Sequence, residues 1–462
     1  MSAHFHSHGP ETDGAALPPD PVVTARRRRA VRLMLYVLVP IGLATLVGLG
    51  VLWPGGEKTA AQQAAESFLP PGTTYPQATI ASLEPYECAP ASAEVPAQSC
   101  AKAVMVIGDG SSAGDYVQVD LPPEVVAEGV AVGDELVLQR DPGTDGGTAN
   151  YSFQDFPRGS PIVVLALFFT LVVAAVARLR GLLALVGLGF AFAVLLKFML
   201  PALLDGSSPL WVSLVGSSAI MFVVLYLAHG FSARTTTALV GTLFGLALSA
   251  VLGAVAVGAA HLTGFYSEEA IQLLQFNPTL DFSGLVLAAT VVAGLGILND
   301  VTITQASAVW QLHEASPRSD WRELFGRGMA IGRDHIASTI YTIVFAYAGA
   351  ALPLLLLFEI YQRPFWTVLT GSQVGEEVIR TLVGGIALVL AVPVTTLIGA
   401  LVATAASGGT APEPAPELTE EEREAERRRE RLRALREERA AGPGARGLPA
   451  QGVEPPRPRD PR

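Results

Sequence analysis

The 462-residue chain is half apolar and only 16% charged, against about 25% charged residues in a typical soluble protein. Its apolar residues gather into blocks of about twenty, the length that crosses the hydrocarbon core of a bilayer, so a soluble or disordered chain is excluded and lipid is the first expected partner. The net charge of −11 belongs to one segment: Pro54 to Gly159 holds 15 acidic and 4 basic residues, whereas Glu413 to Arg462 holds 12 of each. An acidic surface repels phosphate backbones, so no nucleic-acid partner is expected.

Residues 1–30 carry Pro and Gly without apolar periodicity and read as a disordered cytoplasmic leader. His4, His6 and His8 alternate there without the fixed scaffold that a metal site needs. Arg26 to Arg29 and Arg32 flank an apolar run, residues 31–53, which reads as a signal anchor with its N-terminal side in the cytoplasm. Residues 54–159 then form an extracytoplasmic domain. Alternating runs at Ala103 to Ile107, Tyr116 to Leu121 and Glu135 to Leu138, separated by Gly, Asp and Pro, indicate short strands of a small β domain. The run from Val132 to Leu138 looks like the turn and strand of an OB-like barrel. Cys88 and Cys100 are the chain's two cysteines, and a close pair outside the cytoplasm is expected to form a disulfide.

Seven further spans follow: Pro161 to Ala177, Gly181 to Leu204, Pro209 to Ala228, Thr236 to Ala260, Ser283 to Leu312, Ile336 to Tyr361 and Val378 to Thr404. Arg178, Arg180, Arg234, Arg318, Arg322, Arg327 and Arg333 all fall in alternate, cytoplasmic connections, which also sets both termini inside. The expected fold is an all-α transmembrane bundle of eight helices with a small β domain after the first. Residues 160–404 make up the main membrane domain. The tail, 405–462, is charged and partly helical or disordered, with Glu417 to Arg439 as its densest stretch.

No Walker A loop, H-E-x-x-H or C-x-x-C motif occurs, so no cofactor is expected, nor ATP hydrolysis or metalloprotease chemistry. What marks a site is polar density inside apolar spans, where ionisable groups are expensive and face protein or a cavity. In the sixth span Gly284, Ala288, Val292, Gly296, Asp300 and Thr304 recur at intervals of four, which sets Asp300 on a small-residue, packed face. Asn299, Asp300, Thr304, Arg333, Asp334, His335 and Ser338 form the candidate ion or substrate site. Two readings stay open: a proton site with Asp300 exchanging the proton, or an Asp300–Arg333 ion pair that fixes helix register. Gly241, Gly245, Ser249 and Gly253 form a second ladder, read as packing.

The stretches GILNDVTITQASAVWQL from Gly296 and GRGMAIGRDHIASTIYTIVFAYAGAALPLLLLF from Gly326 strongly resemble the YibE/F-like family of bacterial multi-pass membrane proteins. The resemblance covers roughly Ser160 to Thr404, and its most specific parts are Asn299-Asp300 with Thr302 and Gln305, and Gly332-Arg333-Asp334. It implies a membrane protein without assigning a substrate. The functional expectation is a protein of transport or permease type. The alternative is a scaffold or sensor whose external domain binds a cell-envelope partner.

Overall fold

The computed structural model describes residues 21–56, 59–65, 72–89, 98–143 and 148–407. The leader's histidines and the charged tail, with its expected helix at Glu417 to Arg439, lie outside the described residues. The first helix, α1, runs from Pro21 to Val51. It therefore begins ten residues earlier than the sequence reading, which left residues 21–30 in a disordered leader.

After a short helix α2 (Ala60–Ala65) come five strands: β1 (Gln77–Ala89), β2 (Gln98–Ile107), β3 (Tyr116–Leu121), β4 (Glu135–Asp141) and β5 (Asn150–Asp155). A five-residue helix, α3 (Pro123–Ala127), lies between β3 and β4. The antiparallel sheet has the order β3-β2-β1-β4-β5, and its outer strands β3 and β5 approach each other, so the sheet curls into a partly open OB-like barrel. Residues of alternate parity, among them Ala101, Ala103, Met105 and Ile107 of β2 with Val119, Leu121, Leu136 and Leu138, fill the interior, as the period of two in a strand requires. A disulfide joins Cys88 of β1 to Cys100 of β2, with Cα atoms 5.6 Å apart. A closed loop of this length stabilises the domain by about 3 kcal/mol on the chain-entropy model.

The remaining elements are helical. α4 spans Gly159–Val194, and through a π-helical stretch at Leu195–Met199 it continues into α5, Leu200–Leu204. Arg178 breaks α4 with φ 54° and ψ −141°. Then come α6 (Pro209–His229), α7 (Ala233–Ala259), α8 (Glu268–Phe276) and α9 (Phe282–Ala315). After these lie α10 (Trp321–Ala350), α11 (Leu352–Tyr361), α12 (Phe365–Leu369) and α13 (Ser372–Ser407). Among the described residues six helices are long and apolar enough to cross a membrane, or seven with the bent pair α10–α11 taken as one span.

The last two spans depart from their expected limits. The sequence starts the seventh at Ile336, yet α10 begins at Trp321. There the Asp320 carboxylate accepts a 2.7 Å hydrogen bond from the Glu323 N–H, an N-cap with a Glu three residues on. Hydropathy alone hides this start, because the first four turns of α10 are rich in charge. At the other end α10 and α11 meet at an angle of 67°, where Pro353 lacks the N–H needed to continue the ladder. α13 likewise starts at Ser372, six residues before the expected Val378.

The bundle is organised by the seam between α7 and α9. A Cβ on Gly245 would lie 2.5 Å from Leu298, one on Gly253 would lie 2.7 Å from Leu287, and Gly294 faces the Ser249 hydroxyl at 3.4 Å. At Gly241 the neighbours are Thr302 of α9 and Thr395 of α13. Each step of four up α7 thus meets a step back along α9, and the small-residue ladder is a helix–helix contact. α13 packs on both helices. Replacing Gly245 by Leu should lower the melting temperature in detergent, since overpacking costs about 1–3 kcal/mol. Gly258→Leu, at a position with nothing within 4 Å, should leave it unchanged. Equal melting temperatures for the two variants would refute the seam. The disulfide is checked separately: maleimide should label Cys88 and Cys100 on intact cells only after reduction.

Candidate functional site

Where α7, α9 and α13 meet, the buried polar side chains converge. Thr242, Thr302, Thr395 and Thr396 are fully enclosed and Gln305 is 2% exposed. Thr242 and Thr302 hydroxyls lie 2.6 Å apart, and Thr242 also donates to the Ala238 carbonyl one turn back. The Gln305 amide donates to the Gly328 carbonyl of α10 at 2.9 Å and to the Thr396 hydroxyl of α13 at 2.7 Å, so one side chain ties three helices together. The hydroxyls of Thr237 and Thr395 and the Oδ1 of Asn299 are buried without a hydrogen-bond partner. Such groups in a bundle core are unusual and mark a polar layer rather than a sealed apolar core.

The expected residues are arranged differently. Asp300 and Thr304 are exposed, as is Gly296 on the same stripe, and a Cβ at Gly296 would meet nothing within 4 Å. The expectation that Asp300 sits on the packed face is therefore corrected: the buried stripe of α9 runs through Val291, Leu298, Thr302, Gln305 and Val309. The small-residue stripe is packed at its outer end, where Ala288 is buried and a Cβ on Gly284 would lie 2.8 Å from Pro209 of α6, and it opens from Gly296 on. Arg333, Asp334 and Ser338 are also exposed on α10, and His335 is half-buried. The Gln305–Gly328 bond registers the antiparallel α9 and α10, so Asp300 falls within about one turn of Arg333 and Asp334. Among the described residues the ion pairs are Arg158–Asp155, Arg327–Glu323 and Arg380–Glu377. Asp300 and Arg333 do not pair, which leaves the register-fixing account without its contact.

The depth of this face follows from the seam. α6 has 21 residues, about 31 Å at 1.5 Å per residue, which equals the hydrocarbon thickness. Its last turn abuts the start of α7, where the Tyr226 and Thr236 hydroxyls are 3.1 Å apart, and extending the α7–α9 register sets that level near Ser307 to Trp310. With α6 taken as one crossing, Asp300 is set about 10–15 Å inside the slab. Towards the middle of the slab the exposed side of α10 continues with Ser338, Tyr341 and Thr342.

Sequence reading found Thr302 and Gln305 only through the family likeness and missed Thr242, Thr395, Thr396 and the Glu376, Glu377 and Arg380 group of α13. Thr395 and Thr396 follow Pro393 inside a span, which was the available signal. The stretch Gly110-Ser111-Ser112-Ala113-Gly114 fits a G-x-S-x-G pattern. It forms a 3-10 turn at Gly110–Ser112 between two strands, not the strand-to-helix elbow that this chemistry requires. Replacing Gln305 by Leu should lower the melting temperature more than Thr302→Val. The first leaves the Gly328 carbonyl and the Thr396 hydroxyl without their shared donor, whereas one intramembrane hydrogen bond is worth about 0.6 kcal/mol. The reverse order would show that Gln305 does not tie the helices.

The YibE/F-like protein family model matches residues 165–405, slightly more than half of the chain. No curated protein and no solved structure matches it. The matched stretch opens inside α4 and closes in α13, so it takes in the seam, the Gln305 tie and the Asp300 face and leaves α1 and the β domain outside. With the family's stretch coinciding with the helices that build the site, the chain belongs to the YibE/F-like family.

Proposed function

We propose that the protein is a permease of the cytoplasmic membrane whose route runs along the polar face of α9 and α10. The observation that carries this reading is the exposure of Asp300, Thr304, Arg333, Asp334 and Ser338 at hydrocarbon depth. Ionisable side chains at that depth face a water-filled cavity or protein, not lipid. The polar side of α10 extends from the arginine-bearing end of the bundle to about its middle, the form of a half-route open to one surface. Asp300, unpaired by Arg333, is the group assigned to proton exchange, with Arg333, Asp334 and His335 at the same level of α10.

The same reading takes eight spans. The segment Gly159–Leu204 has 46 residues, about 69 Å if straight, more than twice the hydrocarbon thickness, and the break at Arg178 divides it into two crossings. With the arginine-bearing connections inside, both termini are cytoplasmic and the β domain is external. A second reading, a sensor that binds an envelope partner, is favoured by the acidic barrel.

Purified protein in liposomes with an internal pH-sensitive dye tests the proposal. Wild-type protein should collapse an imposed pH gradient, and Asp300→Asn should do so about 100-fold more slowly with an unchanged melting temperature. Wild-type liposomes no leakier than protein-free ones would overturn the permease reading. Equal rates for the wild type and the variant would remove Asp300 from the route.

A further inference from the structure

Away from that face, the break in α4 meets the turn between α6 and α7. Arg178 takes a positive φ of 54°, and a Cβ on Gly181 would lie 2.6 Å from Val173, a residue that a straight helix would hold about 12 Å away. The chain therefore folds back sharply, with Arg180 on the bend. The second half of α4 packs on α6, where a Cβ on Gly187 would be 3.5 Å from Val224. From that contact Arg180 lies about 10 Å along α4 and His229 about 8 Å along the antiparallel α6, so both sit at the same end of the bundle.

The second turn is fixed by its own side chains. The Ser232 hydroxyl caps α7 by accepting a 3.1 Å hydrogen bond from the Thr235 N–H, and Phe231 stacks on Tyr226 with ring centres 4.5 Å apart. This holds the exposed His229 and the half-buried Arg234 on either side of the turn, and His229 stands within electrostatic reach of both Arg234 and Arg180. Neither arginine is in an ion pair among the described residues. From Gly159 to His261 the one acidic residue is Asp205, which follows α5 at the opposite end of the span. The patch is cationic, and no carboxylate of these helices balances it.

The surface around these charges is apolar. Phe231 is 89% exposed, and Leu182 and Val186 of α4 and Val223 of α6, all within two turns of Arg180 or His229, are exposed as well. With α6 taken as one crossing, its last residue His229 lies at the level of lipid headgroups. We propose that this patch binds an anionic phospholipid, its phosphate between Arg180 and Arg234 and its acyl chains along the outer side of α4 and α6. Arginine holds phosphate through charge-assisted N–H···O bonds. A zwitterionic headgroup would add an ammonium to a patch that already gathers cations, and free phosphate would leave Leu182, Val186 and Val223 uncovered. The site stands independently of any transport route along α9.

Thermal unfolding of the delipidated full-length protein tests this with phosphatidylglycerol, phosphatidylcholine and phosphatidylethanolamine of identical chains, and with inorganic phosphate. Phosphatidylglycerol should raise the melting temperature by at least about 3 °C more than any of the other three. Replacing both Arg180 and Arg234 by Gln should abolish this difference and leave the lipid-free melting temperature unchanged, since neither side chain has an ion pair to lose. Replacing both Arg318 and Arg322 by Gln, at the turn between α9 and α10, should leave the preference in place. Equal shifts for the three lipids overturn the proposal, as does inorganic phosphate matching phosphatidylglycerol. So does a preference that survives the first pair of substitutions, or one that the second pair removes as fully as the first.

Discussion

The close approach of α7 to α9 governs everything else in the membrane part. Between two helices in lipid there is no hydrophobic driving force, because the tails are as apolar as the side chains, so van der Waals contact and a few hydrogen bonds decide which faces meet. Gly241, Gly245, Ser249 and Gly253 give α7 a surface without side-chain bulk, and Leu298, Gly294 and Leu287 of α9 lie against it. That contact sets the rotation of α9. Successive residues turn by about 100°, so fixing Leu298 and Thr302 against α7 also fixes Asp300 and Thr304 on the opposite side. The same contact leaves Gly241 open to Thr395 and thereby seats α13.

Much of this was legible in the sequence, and the failures have identifiable causes. Alternating parity in Ala103 to Ile107 gave the barrel strands, because one face of each is buried and the other is wet. The four-residue ladder of α7 was legible because small residues at that spacing serve little purpose other than packing. Asp300 was assigned to a packed face because Gly284 and Ala288 above it are packed, but the stripe opens from Gly296 on, and a one-dimensional pattern does not say how far along a helix a neighbour follows. Gln305 was visible as a motif residue, but its partners Gly328 and Thr396 lie 23 and 91 positions away. No local pattern carries contacts at such separations. The charged first turns of α10 and α13 were trimmed away by hydropathy, which took Glu376 and Glu377 out of the helix that holds them.

α10 differs in kind from the other long helices. One side is drawn against α13 by Gly328 and Gly332 and tied to α9 through Gln305, while its other side carries Arg333, Asp334, Ser338 and Tyr341 in the open. Its far end turns sharply at Ala351 into α11. The Thr395 hydroxyl and the Asn299 Oδ1 stay buried without a hydrogen-bond partner.

The first half of α4 supplies a contrast. From Gly159 to Ala177 none of its residues is buried, and Leu165, Phe168 and Leu171 are more than half exposed. Such a helix turns its apolar side chains outward rather than into the bundle. Any sequence apolar enough to enter the bilayer satisfies it, whereas α7 tolerates hardly a methyl group at Gly241, Gly245 and Gly253. Divergence among related chains should therefore run freely through one helix and halt at the other, so that the segment most plainly hydrophobic is also the least informative about ancestry.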